Sequence, residues 1–108
     1  MIKVSILYPN KEGSKFDLNY YCDKHMPMSI RKLGAALKGV TVEYGLSGGF
    51  PGSKPPYHVL AHLLFVSAEA FYAAFIPHAE ELQSDITNYT DVEPLIQISE
   101  AVIREIGS

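Results

Sequence analysis

The sequence predicts an α+β domain of βαββαβ order, a ferredoxin-like arrangement with a four-stranded antiparallel sheet and helices on one face. Three observations predict it. Four stretches alternate side chains with the period of two that a pleated strand imposes. Two stretches between them repeat apolar residues at helical spacing, with proline or glycine at the junctions. The 108 residues, 47% of them hydrophobic, supply one core and therefore one domain, residues 1–108.

Ile2, Val4, Ile6 and Tyr8 alternate with Lys3, Ser5 and Leu7, and Pro9-Asn10 with Gly13 stops this first strand. Asp17 is the expected N-cap of the next helix, with Phe16 as its hydrophobic staple. Leu18, Tyr21, Cys22 and His25 then fall at i, i+3, i+4 and i+7, so they are expected to share the inward face. Pro27 has no N–H for the Asp23 carbonyl and its ring crowds that turn. The helix is expected to bend or break there, resume through Leu33 to Leu37, and end at Gly39. Val40, Val42, Tyr44 and Leu46 alternate with Thr41, Glu43 and Gly45 as the second strand.

Residues 47–56 hold three glycines and three prolines and read as a loop long enough to border a site. The third strand runs from about Tyr57 to Val66. Ser67 caps a helix containing Phe71, Tyr72 and Phe75, with Glu69 in its favourable first turn. Pro77 ends that helix and starts another, from His78 to about Ile86. Leu95 to Ile103 is the final strand.

The third strand shows what each sheet face meets. Tyr57, Val59, Ala61, Leu63 and Phe65 form a wholly apolar side, assigned to the helices. His58, Leu60, His62 and Leu64 form the other, mixed but too apolar to be left in water. A second copy of the chain is the simplest cover, so a homodimer is expected.

The net charge of −3, with acids and bases interspersed, offers no basic stripe for nucleic acid. No apolar run approaches membrane-spanning length, and no basic segment followed by a long apolar one opens the chain. The single cysteine, Cys22, forms no internal disulfide and suits a reducing compartment. A cytoplasmic location is expected.

Tyr20-Tyr21-x-x-x-His25-Met26-Pro27 resembles a motif of the EthD family, named for an association with ethyl tert-butyl ether degradation. So does His78-Ala79-x-Glu81, followed by Asp85-Ile86-x-Asn88-Tyr89-Thr90-Asp91 and Pro94-x-Ile96-Gln97-Ile98-Ser99-Glu100. The resemblance covers nearly the whole chain. It implies a dimeric α+β barrel, in which two ferredoxin-like sheets pack face to face. Relatives on that fold include muconolactone-type isomerases, polyketide cyclases and cofactor-free monooxygenases, so the fold does not choose a reaction. In the related isomerases a histidine matching His25 faces a cavity between sheet and helices. Leu63 stands where some relatives carry a strand cysteine, which puts a thiol-dependent mechanism in doubt.

His25 is the candidate general acid or base, because an imidazole can exchange a proton near neutral pH. Tyr21, one turn earlier, and Tyr44 on the second strand either polarise a substrate carbonyl or pack. Phe65 completes the expected substrate contacts. His58 and His62 share a strand face, but four residues set their Cα atoms roughly 13 Å apart. Zinc sits only about 2 Å from an imidazole nitrogen, so no metal site is expected from them, nor any haem, flavin or other cofactor. Two functional classes stay open. One is a cofactor-independent isomerase, cyclase or monooxygenase acting on a small apolar or aromatic oxygenated metabolite. The other is a non-catalytic binding or accessory protein in a degradation pathway that uses the same cavity.

Overall fold

The computed structural model describes residues 1–102. Strands β1 (Ile2–Pro9), β2 (Gly39–Tyr44), β3 (Tyr57–Phe65) and β4 (Leu95–Glu100) form one antiparallel sheet in the order β2-β3-β1-β4. Helices α1 (Leu18–Tyr20) and α2 (Met26–Leu33) lie between β1 and β2, and α3 (Ala68–Phe75) and α4 (Ala79–Ser84) between β3 and β4. This is the predicted βαββαβ α+β fold. Ile103, the expected end of the last strand, lies outside the described residues.

Register follows the alternation. Val4 stands opposite Leu63 on β3 and Ile98 on β4, and Ile6 opposite Ala61 and Ile96, so these residues share the helix-covered side. Ser5 stands between His62 and Gln97, and Leu7 between Leu60 and Leu95, on the uncovered side. Val4, Tyr8, Tyr21, Val59 and Phe65 are the largest fully buried side chains and mark the core between sheet and helices.

The two predicted caps form. The Asp17 carboxylate accepts from the Tyr20 backbone N–H at 3.1 Å, and the Ser67 hydroxyl from that of Ala70 at 3.1 Å.

Three local expectations change. The first helix does not break at Pro27. Residues Tyr21–His25 form a π-helical turn joining α1 to α2, and Pro27 falls in the first turn of α2. The wider π turn just before it is where the helix accommodates Pro27, which lacks the N–H that would bond the Asp23 carbonyl in a regular α-helix. That helix ends at Gly34, not Gly39, because its termination needs the left-handed φ of +63° found at Gly34. Cys22 is exposed rather than on the buried face. A π turn takes more residues per revolution than an α turn, which carries Cys22 off the face that Tyr21 and His25 share.

A bulge also removes His58 from the alternation of β3. Tyr8 pairs with Val59 and Pro9 with Tyr57, so His58 has no opposite number on β1. Its ring stacks on Phe16 at 5.8 Å, and its Nε2 lies 2.8 Å from the Ser14 hydroxyl.

Candidate functional site

A cavity of about 400 Å³ lies between the covered face of the sheet and the helices. Val4, Ile6 and Leu63 of the sheet face it, with Met26, Leu33 and Phe71 of the helices. Its polar lining is sparse: Tyr21, His25 and Ser29 within, and Gln83 and Glu93 at exposed positions. Mostly apolar walls with a few oriented polar groups are the usual form of a small-molecule site.

The π turn builds the polar corner. Its wider hydrogen bond runs from the Met26 N–H to the Tyr21 carbonyl, five residues back. Within this turn the Tyr21 and His25 rings stack, 5.4 Å between centroids and 18° between planes. The Ser29 hydroxyl donates to the His25 carbonyl at 2.9 Å, bracing the start of α2. π turns are frequent at functional sites.

His25 is held from behind by a carboxylate 60 residues away. Its Nδ1 lies 2.8 Å from Asp85 Oδ2. The other carboxylate oxygen of Asp85 accepts from the Tyr20 hydroxyl at 2.7 Å and the Asn88 amide at 2.9 Å. Burial pushes the Asp85 carboxyl up, but these bonds from Asn88, Tyr20 and His25 together outweigh it and hold it below the ordinary carboxylate value. Burial pulls the His25 pKa below its ordinary value, with Asp85 opposing it only in part. At pH 7 the pair is therefore a carboxylate and a neutral imidazole that donates Nδ1–H to it. The imidazole lone pair is then on Nε2, the form a general base requires.

Nε2 meets the Tyr89 hydroxyl at 3.5 Å, too long to tie it up firmly. The Tyr89 hydroxyl is itself bonded to that of Tyr8 at 2.7 Å. Burial raises the pKa of Tyr8, Tyr21 and Tyr89 well above that of a free phenol, so all three stay protonated. The Tyr21 hydroxyl is buried without a hydrogen-bond partner.

Of the four expected site residues, His25 and Tyr21 line the cavity together. Tyr44 does not: it is 55% exposed on the edge strand β2. Phe65 lies fully buried behind the cavity wall, its ring edge-on to Phe71 at 5.2 Å. Phe65 is not among the residues that line the cavity. Sequence reasoning did not single out Asp85, Tyr89 or Tyr8. The first two stand within the stretch that carries the family resemblance, but no local spacing rule connects them to His25.

On the uncovered face, the Ser5 hydroxyl bonds His62 Nδ1 at 2.8 Å, and Glu43 approaches Nε2 at 3.6 Å. His58 and His62 are thus engaged separately. No helix among the described residues is long and apolar enough to cross a membrane.

No family model matches the chain, and no curated protein matches it. Solved structures do. The chain is similar to an EthD-like protein from Ralstonia eutropha JMP134, at 47% identity and a TM-score of 0.91, over 96% of this chain and 94% of that one. It is also similar to an EthD family protein from Bacillus halodurans C-125, at 18% identity and a TM-score of 0.71, over 94% of this chain and 99% of that one. The second likeness bears on the fold alone.

Proposed function

The chain belongs to the EthD-like family, and from that premise we propose that its cavity binds a small apolar or aromatic oxygenated metabolite, with His25 as general base. The observation that carries this reading is the Asp85–His25 pair at the wall of an apolar cavity. Asp85 fixes the tautomer, and burial keeps the ring neutral and able to accept. The supported step is removal of a proton from carbon beside a carbonyl. The proton passes to His25 Nε2, and the C–H electron pair moves into the enolate. Isomerisation, cyclisation and cofactor-free oxygenation share this step. A positioned base contributes on the order of 100- to 10,000-fold to such a rate.

The uncovered sheet face is assigned to a second copy of the chain, closing a barrel. Leu7, Leu60 and Leu95 lie on it among Ser5, His62 and Gln97, and a half-apolar sheet face needs a cover. The exposed Cys22 suits a reducing, cytoplasmic setting.

Incubation with 2-acetylnaphthalene in D2O tests the base directly, with loss of the methyl proton signal followed by NMR. Exchange that disappears in His25→Ala is the expected result. Equal exchange in the variant overturns the role of His25.

A further inference from the structure

Tyr20 and His25 stand five positions apart, a spacing that an α-helix sends to divergent faces, since five residues make about 1.4 of its turns. Here both end on one carboxylate. The Tyr20 hydroxyl donates to Asp85 Oδ1 at 2.7 Å, and His25 Nδ1 lies 2.8 Å from Oδ2. The π turn Tyr21–His25 explains this, because its hydrogen bond spans five residues and brings positions five apart over one another. The Tyr89 ring packs against both arms, stacked on Tyr20 at 6.2 Å and tilted against His25 at 4.7 Å.

The Asn88 amide, three residues along the chain from Asp85, donates to the same Oδ1 at 2.9 Å. Two donors therefore hold Oδ1, and Oδ2 is left to His25. A carboxylate turns easily about its last bond, where the torsion is broad and nearly two-fold. With Oδ1 held, Oδ2 stays in line with Nδ1. The hydrogen bond at one imidazole nitrogen decides the state of the other, so the lone pair stays on Nε2. The His25 ring meets Asp85, Tyr21 and Tyr89, and of these only Asp85 is charged at neutral pH. The direction of its carboxylate thus governs both the tautomer and the titration of the ring. The bond to Asp85 raises the Tyr20 pKa, which keeps that hydroxyl a donor.

We infer that Tyr20 is a positioning residue: its hydroxyl, with the Asn88 amide, pins one oxygen of Asp85 so that the other fixes the tautomer of His25. The π turn then serves to bring Tyr20 and His25 onto that single carboxylate. This rests on the reading of His25 as general base. Neither Tyr20 nor Asn88 lines the cavity, so both act on the site through Asp85 alone.

Tyr20→Phe keeps the ring against Tyr89 and removes only the hydroxyl, and Asn88→Ala removes the second donor without touching the π turn. Nitrogen-15 NMR of the His25 ring across pH, in the protein alone, reads both. The neutral ring of the wild type is expected to carry its proton on Nδ1. Each variant should show a mixture with the Nε2–H form. Each should also titrate His25 at lower pH than the wild type, because a carboxylate free to turn away no longer favours the imidazolium. The two replacements together should shift both readouts further than either alone. Asn88→Ala probes the same clamp if the phenylalanine variant folds poorly. An unchanged tautomer and titration would mean that Tyr20 only packs, which overturns the assignment. A raised His25 pKa would mean that the donors draw charge from the carboxylate without orienting it, which overturns it too. In exchange of 2-acetylnaphthalene, Tyr20→Phe should lower kcat and leave KM unchanged, and a change confined to KM counts against positioning. If the wild type shows no exchange, the reading of His25 as a base falls, while the tautomer shift still decides the role of Tyr20.

Discussion

The rings of Tyr21 and His25 stack at 5.4 Å and 18° because the turn joining them is π-helical. The helix face that a regular α spacing would bury includes Cys22, and the wider turn leaves that residue outside. The irregularity places a phenol and an imidazole side by side at the cavity wall, the imidazole backed by a carboxylate. Pro27 follows just after this wider turn, which accommodates the N–H that proline lacks.

Asp85→Asn should change the titration of His25 more than the fold. The amide keeps the size of the carboxylate but removes the charge that favours the imidazolium. The His25 pKa, already depressed by burial, is expected to fall further, read from its ring proton signals in an NMR titration. An unchanged or raised value would mean that Asp85 does not act on His25 electrostatically.

Stability should fall in acid in two separate windows. The His25 pKa is depressed in the folded chain, so as pH drops below about 6.5 the unfolded chain takes up the proton first and the folded state loses ground. Asp85, depressed below 3.8, contributes stability above that pH and loses it below. His25→Ala should abolish its own share of the upper window. At pH 7 the variant should cost less than about 1.5 kcal/mol, because the side chain borders existing space and Asp85 keeps two other partners. Urea denaturation across pH, in both proteins, measures each quantity. An identical pH dependence in the variant would refute the assignment of the upper window to His25.

Leu60→Lys should prevent the proposed dimer from forming. Leu60 stands opposite Leu7 and Glu43 on the uncovered face, where a second sheet would bury on the order of 1,000 Å² or more in total. A lysine there would be desolvated opposite its own copy. Sedimentation velocity at micromolar concentration should show a dimer for the wild type and a monomer for the variant. A monomeric wild type would remove the basis for the barrel.

The sequence by itself determined the order of elements, the two faces of the sheet and the caps at Asp17 and Ser67. Alternation and helical period are local, and an N-cap is satisfied by a backbone N–H three residues away. It also singled out His25 and Tyr21, one turn apart in a helix. It did not reveal that Tyr44 and Phe65 stand off the cavity lining, since strand alternation gives a residue's face but neither its distance along the sheet nor how deep it lies. Only the tertiary structure decided that Asp85 meets His25, that Tyr8 meets Tyr89, and that Tyr21 is left unpaired. Those partners are separated by 60 and 81 residues, and their meeting depends on how the last helical segment docks on the sheet. The bulge at His58 and the π turn at Tyr21–His25 belong with them. Each adds or shifts a single residue against its surroundings, and what stabilises the shift is packing against distant parts of the chain, which no local period records.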